Sequence, residues 1–173
     1  MNISNKNYML VNLPYIKKNI KHFRKYANLA HERFKFCYGD KSSTVFYRYY
    51  NCMSLLVGSL YYHKMFKDLF KIIKKHSNSK KPLWVQCWLN FHKKKNLLKW
   101  HSHPDALFHG YISIDPKNTE TVFKKYTIKN KIGNVYIGPS LNEHKVVSKK
   151  SYTNDRITMG FDVVDEKTIK KFY

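Results

Sequence analysis

The change of periodicity after residue 82 constrains the fold more than any other feature of the sequence. From 83 to 164, bulky apolar residues alternate with polar ones in short runs that end at glycine, proline, asparagine or lysine-rich turns. Short runs at regular spacing are typical of a β-sandwich or barrel. The pattern predicts seven strands, which cover 83–91, 97–103, 110–114, 121–128, 134–137, 141–147 and 156–164.

The first 80 residues follow a different pattern. Apolar residues recur every three or four positions over 15–34 and 61–75, with lysines between them, which predicts two amphipathic helices. The β-branched and aromatic run over 44–53 predicts a strand. We expect 1–173 to form a single domain, with 1–80 as a helical and strand lead-in and 83–164 as the core that carries the functional site.

Charge is distributed unevenly along the chain. The net charge is +22, and residues 1–100 hold 21 Lys/Arg against three acids, whereas 101–173 hold 12 against eight. Such asymmetry is typical of a surface that binds nucleic acid or another polyanion. The bias towards Lys, Asn, Tyr, Ile and Phe also fits an A+T-rich or phage genome, in which case the lysines only solvate the surface. Both interpretations predict non-specific polyanion binding at low salt.

Composition also excludes several classes of protein. With 14 Tyr and 11 Phe, the chain is too aromatic to be disordered. No run of 18 apolar residues is present, so we expect no membrane-spanning helix, and the first residues lack the apolar core of a secretion signal. The three cysteines (Cys37, Cys52 and Cys87) have no paired spacing. We therefore expect reduced thiols and a cytoplasmic location.

The most chemically informative stretch is Trp-His-Ser-His-Pro-Asp at 100–105. On an extended strand, side chains two positions apart point to the same face. His101 and His103 would then converge, or His103 and Asp105 would, and either pair is half of a metal site. His144, which precedes two valines, is the candidate for the third ligand. Two His and one carboxylate suit oxygen-activating Fe(II), whereas three His suit iron or zinc.

A fixed cation follows this candidate metal set. Arg156 lies twelve residues after His144, with the hydroxyl of Thr158 two positions further on. The planar guanidinium is well suited to binding a carboxylate at two points. His109 is near the site in sequence, but the sequence identifies no partner for it. Five histidines have basic neighbours and are expected at the surface: His22, His31, His63, His76 and His92.

Six segments carry a resemblance to a known family. They are Trp-Leu-Asn at 88–90, Trp-His-Ser-His-Pro-Asp at 100–105, His-Gly-Tyr-Ile-Ser-Ile at 109–114, Gly-Asn-Val-Tyr-Ile-Gly-Pro-Ser at 133–140, Glu-His-Lys-Val-Val at 143–147 and Arg-Ile-Thr-Met-Gly-Phe-Asp at 156–162. Together they resemble the short Fe(II)/2-oxoglutarate-dependent dioxygenases of bacteria and phages. The resemblance covers about 83–164, and 44–60 resembles the family's lead-in more weakly.

This resemblance implies a fold and a set of roles. The fold would be mainly β (α+β), a double-stranded β-helix of the jelly-roll or cupin kind, with the N-terminal helices packed outside and iron near its mouth. His144 matches the distal metal ligand, Arg156 the residue that binds the far carboxylate of 2-oxoglutarate, and Thr158 its accompanying hydroxyl. The implied activity couples decarboxylation of 2-oxoglutarate, with O2, to oxidation of an unidentified substrate. The implied cofactors are Fe(II) and 2-oxoglutarate, with ascorbate as an optional reductant.

The resemblance leaves the other metal ligands open. His101 and His103 match the family's His-x-His, whereas His103 and Asp105 satisfy the His-x-Asp of the wider superfamily. We favour the two histidines because Pro104 interrupts the strand before Asp105. Tyr111 and Tyr136 lie on neighbouring predicted strands and could reach a bound carboxylate. Packing in the core is the competing interpretation for both tyrosines.

Two other functions compete with the oxygenase. His-Ser-His-Pro also begins the signature of zinc isopeptidases of the JAMM type, which requires a later Ser-x-x-Asp and an upstream Glu. Here Ser113 and Asp115 are only two apart, Glu32 is the only upstream Glu, and Arg156 would have no role. The third possibility is a basic β-domain that binds nucleic acid without catalysis, through aromatic stacking and lysine–phosphate contacts. No RRM, KH or zinc-finger signature accompanies that composition.

Overall fold

A computed structural model describes residues 3–5, 8–38, 52–93, 98–148 and 151–170 of the chain. In these ranges the chain forms nine strands and five helices. In chain order they are β1 (Ile3–Asn5), β2 (Tyr8–Asn12), α1 (Pro14–Lys18), α2 (Ile20–Tyr38), α3 (Met53–Leu56), α4 (Leu60–Ser77), β3 (Trp84–His92), β4 (Phe108–Asp115), β5 (Thr119–Phe123), β6 (Thr127–Lys129), β7 (Asn134–Pro139), β8 (His144–Ser148), β9 (Arg156–Val164) and α5 (Glu166–Ile169).

Two antiparallel sheets face each other. The larger sheet has the strand order β1-β2-β7-β4-β9-β3, and the smaller has the order β6-β5-β8. The segment 98–103 runs beside β8, where Val146 N–H donates to Leu98 O (3.1 Å) and His101 and His144 exchange two backbone hydrogen bonds (3.0 and 2.9 Å). This segment adds a fourth, irregular member to the smaller sheet. The two sheets then interleave along the chain, as expected for a double-stranded β-helix.

The alternation of side chains on β9 separates two environments. Ile157, Met159, Phe161 and Val163 belong to the main hydrophobic core on the outer face of the larger sheet. The residues that alternate with them, Arg156, Thr158 and Gly160, line a cavity on the inner face. The period of two in the sequence therefore assigns every second residue to the core and the others to the space between the sheets.

The helices cover the outer face of the larger sheet, as predicted. The stripe of apolar residues on α4, which includes Met65, Leu69 and Ile73, is buried in the same core as the apolar face of α2. Tyr62 hydroxyl donates to the carbonyl of Phe23 (3.0 Å) and joins the two helices. The predicted helix over 15–34 is divided at Asn19 into α1 and α2. No helix in the described ranges is long and apolar enough to cross a membrane.

Two of the predicted strands need correction, and a third lies mostly where the structure describes no residues. Most of 44–53 lies outside the described residues, and Met53 begins α3. Within 98–103 only an isolated bridge between His101 and His144 forms, so the regular strand predicted there is wrong. The run over 121–128 is two strands, because a turn in which Phe123 N–H donates to Tyr126 O (2.8 Å) interrupts it. β1 and β2, which the sequence did not predict, extend the larger sheet beyond β7.

The two described cysteines lie in the core. Cys52 and Cys87 are both buried and no disulfide joins them. Cys52 backbone N–H donates to the carbonyl of Cys87 (3.0 Å), which connects the start of α3 to β3. Burial raises the pKa of the Cys52 thiol, so this thiol is protonated at neutral pH.

The absence of a side chain at Gly110 is expected to be essential for stability. A Cβ atom on this residue of β4 would lie 2.2 Å from Tyr136 O and 2.2 Å from Phe161 Cζ, and the backbone carbonyl cannot move aside. We expect Gly110→Ala to lower the free energy of unfolding by about 1–3 kcal/mol, as overpacking does. Gly58→Ala is the matched control, because a Cβ atom at that position would have nothing within 4 Å. Urea denaturation of both variants measures the difference, and equal stabilities would contradict this packing.

Candidate metal centre

Three histidines from two segments meet between the sheets. His101 and His103 lie on the irregular segment, and His144 begins β8. One ring nitrogen of each lies within 4.8 Å of the others, a span that a single ion can bridge after a small rotation of the rings. His101 and His144 are held opposite each other by their paired backbone hydrogen bonds, and His103 N–H donates to Ser140 O (2.9 Å). Backbone pairing with β8 and its preceding turn therefore brings the two segments together.

The second ring nitrogen of each histidine has a neighbouring oxygen. His101 Nδ1 lies 2.8 Å from Lys99 O, and His144 Nδ1 lies 3.1 Å from Asn142 O. A carbonyl only accepts, so Nδ1 carries the proton in both rings and Nε2 keeps its lone pair. His103 Nδ1 lies 2.9 Å from Asp162 Oδ1, a short contact that is not aligned as a well-formed hydrogen bond. Oxygen partners on the far nitrogen are typical of metal-binding histidines.

Burial keeps members of the cluster neutral. It lowers the pKa of His144 to about 3, with a further contribution from His101, and it also lowers the pKa of His101. A neutral imidazole is the form that binds a metal. The residues present therefore fit a transition metal held by three nitrogens. In the described ranges, the group of potential ligands contains no carboxylate.

Protonation of these buried rings is expected to destabilise the protein in acid. Burial lowers the pKa of His92 to about 4, assisted by Arg156, and that of His144 to about 3. Between these values and the ordinary value of about 6.5, the unfolded chain binds more protons than the folded one. The stability of the metal-free protein is therefore fully present above pH ~6.5 and decreases as the pH falls towards 4. Urea denaturation at several pH values measures this slope.

A variant assigns that slope to a particular ring. His144→Gln is expected to make stability less dependent on pH than it is in the wild type. Equal slopes for the two proteins would show that the buried ring is not responsible.

Arg156 lies in the wall of the same cavity. This cavity has a volume of about 200 Å³ and is lined by residues of both sheets, which include the three histidines, Arg156, Thr158 and Tyr111. Arg156 is only 3% exposed, and its contacts are with neutral groups: Nη1 is 3.0 Å from His92 Nδ1, and Nε donates to Thr119 Oγ1 (3.3 Å). Burial lowers its pKa to about 10, so it is still charged at neutral pH. No carboxylate of the described residues forms an ion pair with it.

The two predicted tyrosines occupy different environments. Tyr111 lines the cavity, and its buried hydroxyl has no well-formed hydrogen bond within the described residues. Burial raises the pKa of Tyr111, so this hydroxyl keeps a proton that it can donate. Tyr136 does not line the cavity. Its hydroxyl lies 3.0 Å from that of Tyr126, and its ring packs in the aromatic cluster between the sheets, so these contacts favour core packing as the role of Tyr136.

The carboxylates considered from the sequence lie elsewhere. Asp105 is exposed in the turn that follows His103 and lies outside the group of three histidines, so the geometry favours His101 and His103 over the pair of His103 and Asp105. Asp115, which the zinc isopeptidase would need, pairs with Arg24 (3.0 Å) and Lys117 (2.9 Å) at the end of β4. The acidic side chain that contacts one of the three histidines, His103, is Asp162 on β9, which sequence reasoning missed.

Three histidines were also assigned wrongly or incompletely. His31 and His92, expected at the surface, are buried: His31 stacks on Phe91 (ring centroids 4.0 Å apart), and His92 contacts Arg156. His109 is buried against the three clustered histidines and lines the cavity. Alternation along the strands contained the signal, because His92 shares a face with the cavity-lining Asn90, and His109 shares a face with Tyr111.

Comparison with solved structures finds double-stranded β-helix proteins of low sequence identity. SnoK, a non-heme alpha-ketoglutarate-dependent carbocyclase from nogalamycin biosynthesis, matches with a TM-score of 0.67 and 9% identity over 92% of this chain and 79% of its own. A 2OG-Fe(II) oxygenase family oxidoreductase from Burkholderia pseudomallei has a TM-score of 0.47 and 15% identity over 54% of this chain. The match spans half of that oxidoreductase.

A cupin-2 domain protein from Shewanella frigidimarina matches with a TM-score of 0.36 and 22% identity over 45% of this chain and 69% of its own. No family model and no curated protein matches the sequence. The fold is a double-stranded β-helix. This confirms the predicted fold class, with helices packed outside the larger sheet.

Proposed function

We propose that the protein is an Fe(II)/2-oxoglutarate-dependent oxygenase. The observation that carries the proposal is Arg156, a buried cation without a carboxylate partner among the described residues, in the wall of the cavity that the three histidines also line. An unpaired buried charge is costly, so its retention favours an anionic ligand that neutralises it. The carbocyclase with the same fold is described as alpha-ketoglutarate dependent, which supports the same co-substrate here.

The charges in the cavity favour a dicarboxylate. A divalent metal on three neutral imidazoles would add two positive charges to that of Arg156 in a buried space, with Asp162 as the neighbouring carboxylate. 2-Oxoglutarate carries two negative charges. Its keto-acid end suits the open side of a three-nitrogen metal site, and its far carboxylate suits a guanidinium.

Each residue has a role in this proposal. His101, His103 and His144 hold the iron, and the oxygens on their other nitrogens fix the ring orientations. Arg156 binds the far carboxylate of 2-oxoglutarate, and the hydroxyls of Thr158 and Tyr111 complete that end of the cavity. Iron with these co-substrates supplies the oxidising chemistry: 2-oxoglutarate, O2 and substrate give succinate, CO2 and oxidised substrate. The protein contributes position and exclusion of water.

Succinate formation tests the proposed activity. The purified protein is incubated with 2-oxoglutarate, O2 and either Fe(II) or Zn(II), with and without ascorbate, and succinate is quantified. We expect slow succinate release that requires Fe(II) and O2, because oxygenases of this kind decarboxylate 2-oxoglutarate to some extent without substrate. If neither succinate release nor Fe(II)-dependent binding of 2-oxoglutarate is detected, the proposed activity is wrong. Tight binding of Zn(II) without either result would favour a zinc protein.

A second candidate function is polyanion binding, which a separate cavity favours. This cavity has a volume of about 800 Å³ and lies where β2, α1, the β4–β5 turn and the β6–β7 connection meet. Its acidic lining residue, Asp115, is already paired with Arg24 and Lys117. The cavity also has Tyr8 in its wall, and aromatic rings beside lysines are typical of sites for single-stranded nucleic acid. The lysines that line it are Lys17, Lys117, Lys129 and Lys131.

Salt dependence of oligonucleotide binding tests this second function. We expect Lys129→Gln with Lys131→Gln to weaken binding of a fluorescent single-stranded oligonucleotide and to reduce the slope of log affinity against log salt by roughly 0.7 for each phosphate that the lysines no longer neutralise. Lys67→Gln with Lys75→Gln, which removes two exposed lysines of α4, is the control of equal charge. Equal weakening by both pairs would show that net charge alone, and not the cavity, binds the oligonucleotide.

A further inference from the structure

His109 is a buried imidazole that the ligand set and the anion site leave without a role. It lies on β4, is 1% exposed and lines the same cavity as Arg156. Its Nε2 atom is buried and has no hydrogen-bond partner within the described residues. Buried polar atoms in native proteins are nearly always satisfied, so an orphaned nitrogen on a ring that lines a cavity indicates a missing partner from a ligand.

The position of His109 defines which part of a ligand it would meet. Its ring centroid lies 4.8 Å from that of His103 and 4.5 Å from that of His144, so it borders the metal end of the cavity. Tyr111, two residues further along the same face of β4, also lines the cavity and lies near Arg156. Side chains two apart on a strand stand roughly 7 Å apart, comparable with the length of a five-carbon dicarboxylate.

A fourth metal ligand is the alternative explanation of His109. The ring nitrogens of His101, His103 and His144 lie within 4.8 Å of one another, but those of His109 do not join this group. Its ring instead lies nearly parallel to the rings of His103 (9°) and His144 (15°). The geometry therefore favours contact of His109 with a ligand bound to the metal over coordination of the metal by His109.

We propose that His109 Nε2 donates a hydrogen bond to the metal-bound carboxylate of 2-oxoglutarate. His109 thus holds the end of the co-substrate that lies opposite to the end held by Arg156. This inference rests on the proposed oxygenase function and assigns a role to a residue to which neither the family resemblance nor the metal set gives one. It makes β4 the strand along which the co-substrate lies, with His109 at the metal and Tyr111 towards the guanidinium.

Two variants of His109 test the proposal. His109→Leu removes the donor, and His109→Gln keeps an N–H at a similar reach. The protein is loaded with Fe(II) without oxygen and titrated with 2-oxoglutarate, and binding is followed by the visible charge-transfer band of the chelate. Metal affinity is measured separately with Co(II). His31→Gln, which alters a buried imidazole at the α2–β3 contact outside this cavity, is the control.

We expect His109→Leu to weaken 2-oxoglutarate binding by roughly 10- to 100-fold, as loss of a hydrogen bond to a charged group does. His109→Gln should recover most of that loss, and Co(II) affinity should stay within about two-fold in both variants. Unchanged 2-oxoglutarate affinity in His109→Leu would overturn the proposal, and loss of Co(II) affinity would show that His109 is a ligand instead. If the wild-type protein binds Fe(II) but gives no band with 2-oxoglutarate, the oxygenase proposal itself fails.

Discussion

Arg156→Met is expected to abolish 2-oxoglutarate binding without destabilising the ligand-free protein. The guanidinium makes charge-assisted hydrogen bonds to the far carboxylate in the proposed complex, and each contributes about 1.5–3 kcal/mol, so affinity should fall on the order of 100-fold or more. In the ligand-free protein the same cation is buried among neutral partners, His92 and Thr119. Removing a buried charge that lacks a counter-charge relieves its desolvation cost, which offsets the loss of these two hydrogen bonds.

Calorimetry with and without ligand separates the two effects. The melting temperature of metal-free Arg156→Met should equal or exceed that of the wild type, while the additional shift that 2-oxoglutarate produces over Fe(II) alone in the wild type should disappear. Arg156→Lys keeps the charge but loses the planar fork, so it should retain an intermediate affinity. A fall of more than about 5 °C in the melting temperature of the metal-free Met variant would mean that Arg156 is a structural residue.

His144→Ala is expected to cause a larger loss of metal affinity than Asp162→Asn or Asp105→Asn. It removes one of three nitrogens, so the loss should exceed the 10- to 100-fold that changes in the surrounding partners of a metal ligand cause. Asp162→Asn keeps the size of the side chain beside His103 but removes its charge. We expect this variant to lose metal affinity by that smaller factor of roughly 10 to 100. Calorimetric titration with Co(II) and Zn(II), in competition with a chelator, measures each affinity.

Asp105→Asn is the control that decides between the two ligand sets. Asp105 is exposed and outside the group of three histidines, so its replacement should leave metal affinity within about two-fold of the wild type. Circular dichroism of each metal-free variant verifies the fold. A loss in Asp105→Asn equal to that in His144→Ala would show that the carboxylate is a ligand and that the turn after Pro104 closes onto the metal.

The pattern of the sequence predicted the fold where local residues decide it. The two long helices α2 and α4 and the strands β3, β4, β7 and β9 agree with the predicted periods, because each buries one face against a neighbour and the period records that face. The predicted strands are wrong where contacts between residues far apart in the sequence determine the local structure. Residues 98–103 have the pattern of a strand but pair with β8 only at intervals, and 121–128 contain a turn without glycine or proline.

Residue chemistry and spacing by themselves proposed the set of His101, His103, His144 and Arg156, and alternation correctly put Arg156 and Thr158 on one face of β9. Only the tertiary structure decided that Asp105 lies outside the cavity, that His109 lines it, and that Asp162 and His92 contact the lining residues His103 and Arg156. The physical reason is that spacing along a strand fixes which face a side chain occupies, whereas the packing of two sheets fixes what stands opposite. Burial of Arg156 without a counter-charge is a property of that packing, and a sequence does not display it.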